Sequence, residues 1–499
     1  MLAGVYSRGR GTVLVLHRWL GRWRLDLRGS GCVAVALGLL ACVQGPAVHA
    51  ADAQRKLVQP PNPRPFTAPA TADPLLALAR PVAADPLFRS EIESAIRNNP
   101  LLDEARASER EARAARTQAR SLLFPTVDLS IDANRSFARN FSNDVGNIIE
   151  RSRPEGRTDA TASVRQRLLD FGAASSRINA GNARLDAARQ GILGYGEEVG
   201  LRTITAWYSV FAQRLLAQAA QEYIGRQQQL RANLQRRIDQ GFSAQGDLPR
   251  VDSSIANVQS RLAGIRRDLA NAEAQYRALA GHDVPPALTR AVLPLEAVND
   301  AEVLDAIVLR SPVVRKAEAE ARAARQEARA TRSERLPTIA AGVDAGRYGV
   351  FENPGDYDVR GRIIVRAQLG AGFNAKADQA TARADAADAY AARVRQEAMR
   401  DAQMALSDIR GLEDQLAAAE ASYVANRNTR DVIATRFEVS QGTLYDLLYV
   451  EDNFFYSIAN YIQTLAERDV SRFALLSRTG RLLPSLSIAA NPSDRMETP

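Results

Sequence analysis

At 499 residues with only 6% aromatic side chains and a formal charge of +8, the chain is long enough for several compact domains. Its Ala/Arg/Gln/Glu/Leu-rich composition nevertheless favours long helices over a large globular core. Three histidines and two cysteines are present, and all but His282 lie within residues 1–50; if that segment is removed, neither a Cys-based zinc site nor a Cys/His nucleophilic pair can be assembled.

Residues 1–50 read as an export signal. Arg8, Arg10, Arg18, Arg22, Arg24 and Arg28 give a basic n-region, Cys32 to Val43 an apolar core too short to span a membrane as a helix, and Val48-His49-Ala50 a small-residue cleavage site. Cleavage after Ala50 is the expectation. Lipidation at Cys42, after Leu39-Leu40-Ala41, is the alternative, with an atypical leucine two residues before the cysteine. The six arginines against Asp26 account for +5 of the +8, so the remainder carries +3. No basic run long enough for a nucleic-acid footprint is left, and no nucleic-acid partner is expected.

Residues 51–86 form a lead-in interrupted by Pro60, Pro61, Pro63, Pro65, Pro69, Pro74 and Pro81. This composition predicts a flexible, mostly extended tail.

Repeat one, residues 87–281, opens with a helix running from about Pro86 to Phe124, which Pro125 stops. Val127, Leu129 and Ile131 then alternate with Asp128, Ser130 and Asp132. After a polar loop, Ala160, Ala162, Val164 and Leu168 alternate with Thr161, Ser163, Arg165 and Arg167. Such period-two patterns place one sheet face on an apolar medium and the other on water. From Gly172 to Gln240 the sequence has hardly a breaker, which predicts roughly 100 Å of helix. Past a turn, Leu248, Val251, Ile255, Val258, Leu262, Ile265, Leu269, Ala272, Tyr276 and Leu279 follow alternating steps of three and four, the spacing of coiled-coil packing.

A connector, 282–302, leads to repeat two, 303–481, and a tail, 482–499. Pro100 and Pro125 recur as Pro312 and Pro337, shifted by 212 residues; Gly172 matches Gly372 at 200; Arg237, Asp247 and Gly281 match Arg436, Asp446 and Gly480 at 199. A duplication with one longer loop in the first half explains every offset. The strand patterns repeat too: Ile339, Ala341, Val343 and Ala345, then Val359, Ile363, Val365, Ala367 and Leu369, the last set against Arg360, Arg362, Arg366 and Gln368. Ala405, Ile409, Leu412, Leu416, Ala419 and Tyr423 restate the heptads. In each half the opening and closing helices together match the long one in length, so stacked end to end beside it they make a wall of even height.

Two readings of the hairpins stay open from the pattern alone: strands packed on a soluble helical body, or staves of a transmembrane barrel. The Arg- and Asp-bearing polar face, costly in a dry core, and the rings of Phe137, Phe141, Tyr348, Phe351 and Tyr357 near the loops favour the barrel. Four strands cannot close on themselves, so several copies are needed.

The doubled plan, with Arg237-Ile238-Asp239-Gln240-Gly241 leading to Asp247-Leu248, Arg436-Phe437 leading to Ser440-Gln441-Gly442-Thr443-Leu444-Tyr445-Asp446-Leu447-Leu448, and Leu168-Leu169-Asp170-Phe171-Gly172-Ala173 at a strand exit, resembles the TolC family of outer-membrane efflux and secretion proteins over about residues 87–483. The resemblance implies a mainly α chain with a membrane β-barrel, in which a homotrimer contributes four strands per protomer to twelve and coiled-coil hairpins form an α-barrel across the periplasm. It implies contact with the lipid of a Gram-negative outer membrane, a periplasmic adaptor protein at the tunnel tip, and an inner-membrane ABC transporter or proton-driven exporter. No cofactor or catalytic group is implied.

Within that frame the tip turns, with Gly241, Asp247, Ser440, Gln441, Gly442 and Thr443, would face the adaptor. Asp446 matches the position of an acidic residue at the closed aperture, while Tyr449 stands where the family has a second acid and Ser440 replaces the usual tip glycine. Thr443 and Asp446 also have the spacing of a helix capping box, which would account for Asp446 without a gate. Arg165, Arg167, Arg360, Arg362 and Arg366 would line the barrel lumen, either as a functional basic surface or as ordinary solvated charges. His282, after Gly281, reads as a surface or helix-end partner. Glu451 and Asp452 point about 100° apart on a helix and do not make one acid/base site.

The close of the chain, Ala474 to Leu483, resembles secretion-type members. It points to the exit duct of a type I system passing polypeptide; the outer component of a small-molecule efflux pump is the alternative, and a periplasmic coiled-coil scaffold the reading from another class.

Overall fold

Prolines and polar caps set the element boundaries. The computed structural model describes residues 56–58, 61–64, 73–77, 86–286, 288–291, 301–352, 355–367 and 371–489; the expected export signal, with Cys42 and the Ala50 site, lies outside them, as do Gln368 and Leu369. The chain runs α1 (Pro74–Ala77), α2 (Pro86–Asn98), α3 (Pro100–Ser121), β1 (Thr126–Arg135), α4 (Ile148–Ser152), β2 (Gly156–Leu169), α5 (Ala173–Asp239) and α6 (Asp247–Ala280). It repeats as α7 (Ala301–Val308), α8 (Pro312–Ser333), β3 (Thr338–Arg347), β4 (Tyr357–Arg366), α9 (Ala371–Glu438) and α10 (Leu444–Arg478), followed by α11 (Leu482–Ser485). The single opening helix expected in each half is thus two. Pro100 and Pro312 start the second of each pair, at a first-turn position that needs no backbone N–H; Asn99 caps α3 by accepting from Leu101 N–H at 3.0 Å. Gly172 and Gly372 are not equivalent: Gly172 is a left-handed cap at φ 87°, whereas Gly372 lies inside α9.

α5, at 67 residues, and α9, at 68, are the long rods. Each carries two shorter partners in line, as the lengths require. α3 lies along the sheet-proximal half of α5, where Glu109 meets Arg189 at 3.5 Å, and α6 along the distal half, where Glu273 meets Arg214 at 3.0 Å. The heptad positions of α6 form that seam: Val251, Ile255, Val258, Leu262, Ala272 and Tyr276 are buried. In the second half Ala405, Ile409, Leu416, Ala419 and Tyr423 are likewise buried.

The four strands form one antiparallel sheet in sequence order, the β2–β3 pairing joining the two repeats. Its register sorts the side chains by face. Leu129, Ala162, Ala345 and Val359 run in a row across the strands, as do Val127, Val164 and Val343. One extra residue, Leu168, shifts the register so that Leu169 meets Ile339 and the apolar face continues to the strand exit. The apolar face is bare: Leu129 and Ile131 are each 77% exposed and Ile363 75%. In a single chain the sheet is open, with β1 and β4 as its edges.

The core sits where the lengths of helix meet. Phe88 of α2 packs edge-on against Trp207 of α5, ring centroids 5.4 Å apart, and against Phe473 of α10 at 5.7 Å. Trp207 Nε1–H donates to Thr289 O at 3.0 Å, and Arg290 forms a buried two-point pair with Asp469 of α10. These contacts seat the described part of the connector. The lead-in departs from its expected flexibility at four apolar positions: Leu57, Val58, Leu75 and Leu76 are buried in the same core.

Glu197, about a third of the way along α5, is 5% exposed and accepts the backbone N–H groups of Leu482 and Leu483, both at 3.2 Å. It therefore fixes the turn between α10 and α11. Burial pushes its carboxyl up to about 8 against the pull of those two N–H groups. A raised acid makes the folded state bind the extra proton, so its stabilisation is complete below about 4.5 and is lost as pH rises to about 8. Thermal unfolding across that window should show stability falling by up to ~1.4 kcal/mol per pH unit from this group. In Glu197→Gln, which keeps an acceptor oxygen, this component should vanish; an unchanged pH profile would remove Glu197 as its source.

Candidate functional site

The distal ends of the two hairpins are built alike. At the first, Gly241 N–H donates to Ile238 O at 2.9 Å and Phe242 N–H to Arg237 O at 2.7 Å; at the second, Ser440 N–H donates to Phe437 O at 3.1 Å and Gln441 N–H to Arg436 O at 2.9 Å. This is one helix-ending motif used twice, and it needs a left-handed residue. Gly241 takes φ 78° without strain, whereas Ser440 takes φ 61° at a cost of roughly 1–2 kcal/mol. A compensating contact is present. Ser440 Oγ accepts from Arg237 at 2.9 Å, and Arg237 also donates to Phe437 O at 3.3 Å while lying over the Phe437 ring at 5.3 Å. The departure from glycine thus ties the two turns to each other. Gly442 closes the second turn against the Phe437 backbone, Gln441 is exposed, and Asp247 heads α6, 4.0 Å from Arg250.

Thr443 caps α10. Its hydroxyl oxygen accepts Asp446 N–H at 3.1 Å, and the hydroxyl donates to Asp446 Oδ2 at 2.6 Å. The capping spacing seen in the sequence is therefore realised in the backbone, while the Asp446 side chain remains exposed. Along α10, Leu444, Leu447, Glu451, Phe454 and Ile458 are buried, which leaves Tyr445, Asp446 and Tyr449 on the opposite side. The Tyr445 and Tyr449 rings stack at 6.4 Å with an 8° interplanar angle. Sequence reasoning missed Tyr445; its i, i+4 spacing to Tyr449 was the available signal.

Glu451 and Asp452 diverge as their adjacency requires, and each takes an arginine from the other hairpin. Arg226 of α5 donates to Glu451 at 3.2 Å and Arg261 of α6 to Asp452 at 2.6 Å. Two neighbouring carboxylates thus grip both helices of the first hairpin. Nothing in the local pattern around Arg226 or Arg261 marks these partners, 225 and 191 residues away.

At the other end of the molecule the register puts Arg165, Arg167, Arg360, Arg362 and Arg366 on one face of the sheet, opposite the apolar one. Gly342 sits between Arg165 and Arg362, whose Cγ atoms are each 3.7 Å from where its Cβ would lie. The arginines are interleaved with acids: Arg362 pairs with Asp344 at 2.7 Å, Arg360 with Asp358, and Arg167 with Asp170 at 3.3 Å. The face is a mixed-charge, water-compatible surface rather than a purely basic one. His282 contacts Glu91 at 3.1 Å through Nε2 and lies edge-on to Tyr276. Among the described residues no helix is long and apolar enough to cross a membrane.

The family model described as Outer membrane efflux protein matches residues 92–282 and 303–481, the two repeats and most of the chain. A membrane protein from Pseudomonas aeruginosa has a similar structure, with a TM-score of 0.71 at 18% identity over 79% of this chain and 94% of that one. The outer membrane protein VceC from Vibrio cholerae gives 0.69 at 15% identity over 81% and 97%. The Campylobacter jejuni CmeC outer membrane channel gives 0.70 at 14% identity over 80% and 86%. No curated protein sequence matches the chain.

Cap and charge can be separated at Asp446. Asp446→Asn keeps the backbone cap and removes the charge, so single-channel recordings in planar bilayers should show higher conductance or weaker block by divalent cations, with thermal stability held within about 0.5 kcal/mol. Unchanged conductance and block would reduce Asp446 to a cap.

Proposed function

The chain belongs to the outer membrane efflux protein family, the TolC-like channels, and on that premise we propose that it is the exit duct of a type I secretion system, passing an unfolded polypeptide. Its place is the outer membrane, with the sheet in the bilayer and the helical tunnel in the periplasm. Channels of this family are trimers that work with adaptor and inner-membrane pump partners. In this reading the partners are a periplasmic adaptor at the tip turns and an ABC transporter, and the mature protein begins after Ala50. The chain acts as a conduit and not as a catalyst.

The observation that carries the polypeptide reading is the stacked, exposed pair Tyr445 and Tyr449 beside Asp446. With Tyr449 in place of a second carboxylate, the narrow end carries one acidic ring bordered by aromatic rings. Flat amphipathic rings contact apolar side chains and backbone of any sequence, which suits a chain in transit better than a small solute of fixed shape. The Ala474 to Leu483 resemblance to secretion-type members supports the same reading. The five sheet arginines then line the lumen, their charge moderated by the interleaved acids.

Deleting the gene should abolish one or a few polypeptides from the culture medium and leave susceptibility to dyes, detergents and antibiotics unchanged. An unchanged secreted set together with raised susceptibility would replace the reading by small-molecule efflux.

A further inference from the structure

The charges on the polar face of the sheet are not evenly mixed along the strands. The register orders them in rows, from the strand ends that meet the helices, at Thr126, Leu169, Thr338 and Arg366, to the loops 136–155 and 348–356 at the far end. In the rows nearest the helices, Arg366 lies opposite Thr338, Arg167 opposite Ala340, and Arg165 and Arg362 flank Gly342. The next row sets Arg360 in line with Asp344, Ser163 and Asp128. These four rows hold five arginines against two aspartates. Asp170 takes up Arg167 at 3.3 Å, while Arg165 and Arg366 are exposed.

Toward the loops the sign reverses. Asp358 stands in line with Gly346, Thr161 and Ser130, and Asp159 stands opposite Asp132, three aspartates in two rows without an arginine. One row further, Arg157 reaches back to Asp159 at 2.6 Å and lies over the Tyr348 ring at 5.1 Å; Asp132 is exposed. Glu352 adds a carboxylate at this level, accepting Thr158 N–H at 3.2 Å. Of the two loops, 136–155 is balanced at three arginines and three acids, and 348–356 carries Glu352 and Asp356 without a base.

We propose that the barrel lumen is a bipolar pore, with a basic belt at its inner end that gathers anionic groups arriving from the tunnel and an acidic belt at its exit that gathers cations. Arg165 and Asp159 are six residues apart on β2, about 20 Å of strand, which is twice the Debye length of roughly 10 Å at 0.1 M salt. Each belt therefore keeps its own sign. In the trimer of this family both belts are repeated around the bore, and the low-dielectric wall focuses their fields onto the water inside. An anionic group is attracted on entering the barrel and repelled at the exit; a cation meets the reverse. The proposal rests on the sheet closing as a barrel and is independent of the cargo.

The test is the reactivity of single cysteines toward methanethiosulfonates bearing one negative or one positive charge, in trimers purified in uncharged detergent. Cysteines occur only at 32 and 42, so the unsubstituted chain supplies the blank. The ratio of anionic to cationic reagent rates cancels differences in thiol reactivity. In about 0.01 M salt, where the Debye length is ~30 Å, this ratio should be roughly tenfold higher at Thr126→Cys, opposite Arg165, than at Ser130→Cys, beside the acidic rows. At about 1 M salt, with a Debye length of ~3 Å, the two should agree within about twofold. Arg165→Gln combined with Arg362→Gln should lower the ratio at Thr126→Cys and leave that at Ser130→Cys unchanged. Should Thr126→Cys fail to assemble, Thr338→Cys, opposite Arg366, takes its place. Equal ratios at the two levels in low salt, or a difference that salt does not remove, would overturn the proposal. Leu129→Cys, on the apolar face, tests the placement separately: it should resist both reagents, and labelling as fast as at Thr126→Cys would remove the barrel itself.

Discussion

A sheet in lipid tolerates no open edge, because an unpaired backbone N–H or C=O finds no water there. Most of this structure follows from that constraint. One chain supplies four strands with β1 and β4 as edges, too few to close a barrel, so the edges of separate copies must meet, as in the trimeric channels of this family. Closure in turn gives meaning to the two faces. In the proposed duct the bare apolar residues, untenable on a soluble body, face lipid, and the arginines and aspartates of the opposite face would line a water-filled lumen.

The helices inherit their arrangement from the strands. Each hairpin of strands ends on a long rod, and α8 and α10 pack against both rods and bury their seams. Small residues permit the close approach: Gly181 would place a Cβ 3.2 Å from the Arg116 backbone. Stability is concentrated where aromatic rings interlock around Phe88, Trp207 and Phe473. Nearer the tip the rings of Tyr223 and Phe455 stack at 5.5 Å, and arginine–carboxylate contacts, Arg226 to Glu451 and Arg261 to Asp452, join the two hairpins beside them.

Much of this was legible in the sequence because periodicity and punctuation are local. Pro125 marked a helix stop that Pro337 repeats, the alternation around Leu129 and Val343 marked the faces, and the steps from Leu248 to Leu279 marked the seam, whereas the helix starts at Pro100 and Pro312 were read through. The Thr443–Asp446 cap was readable for the same reason. What misled was also local: proline density between 51 and 86 suggested a tail, yet Leu57 and Asp73 are seated by Glu222 and Arg427, residues more than 160 positions away. The Gly172 and Gly372 equivalence failed because a shared letter does not carry a shared backbone conformation.

By itself the sequence determined the duplicated plan, the two-faced alternation of the strands and the coiled rods, since each rests on interactions within a turn or a strand of its own neighbourhood. Tertiary structure alone decided which carboxylate serves which arginine, how Ser440 is held in a glycine conformation by Arg237, why burial pushes the Glu197 carboxyl up, and where Leu57, Val58, Leu75 and Leu76 lie. Burial and long-range pairing set those outcomes, and both depend on residues that the chain brings together only after it has folded.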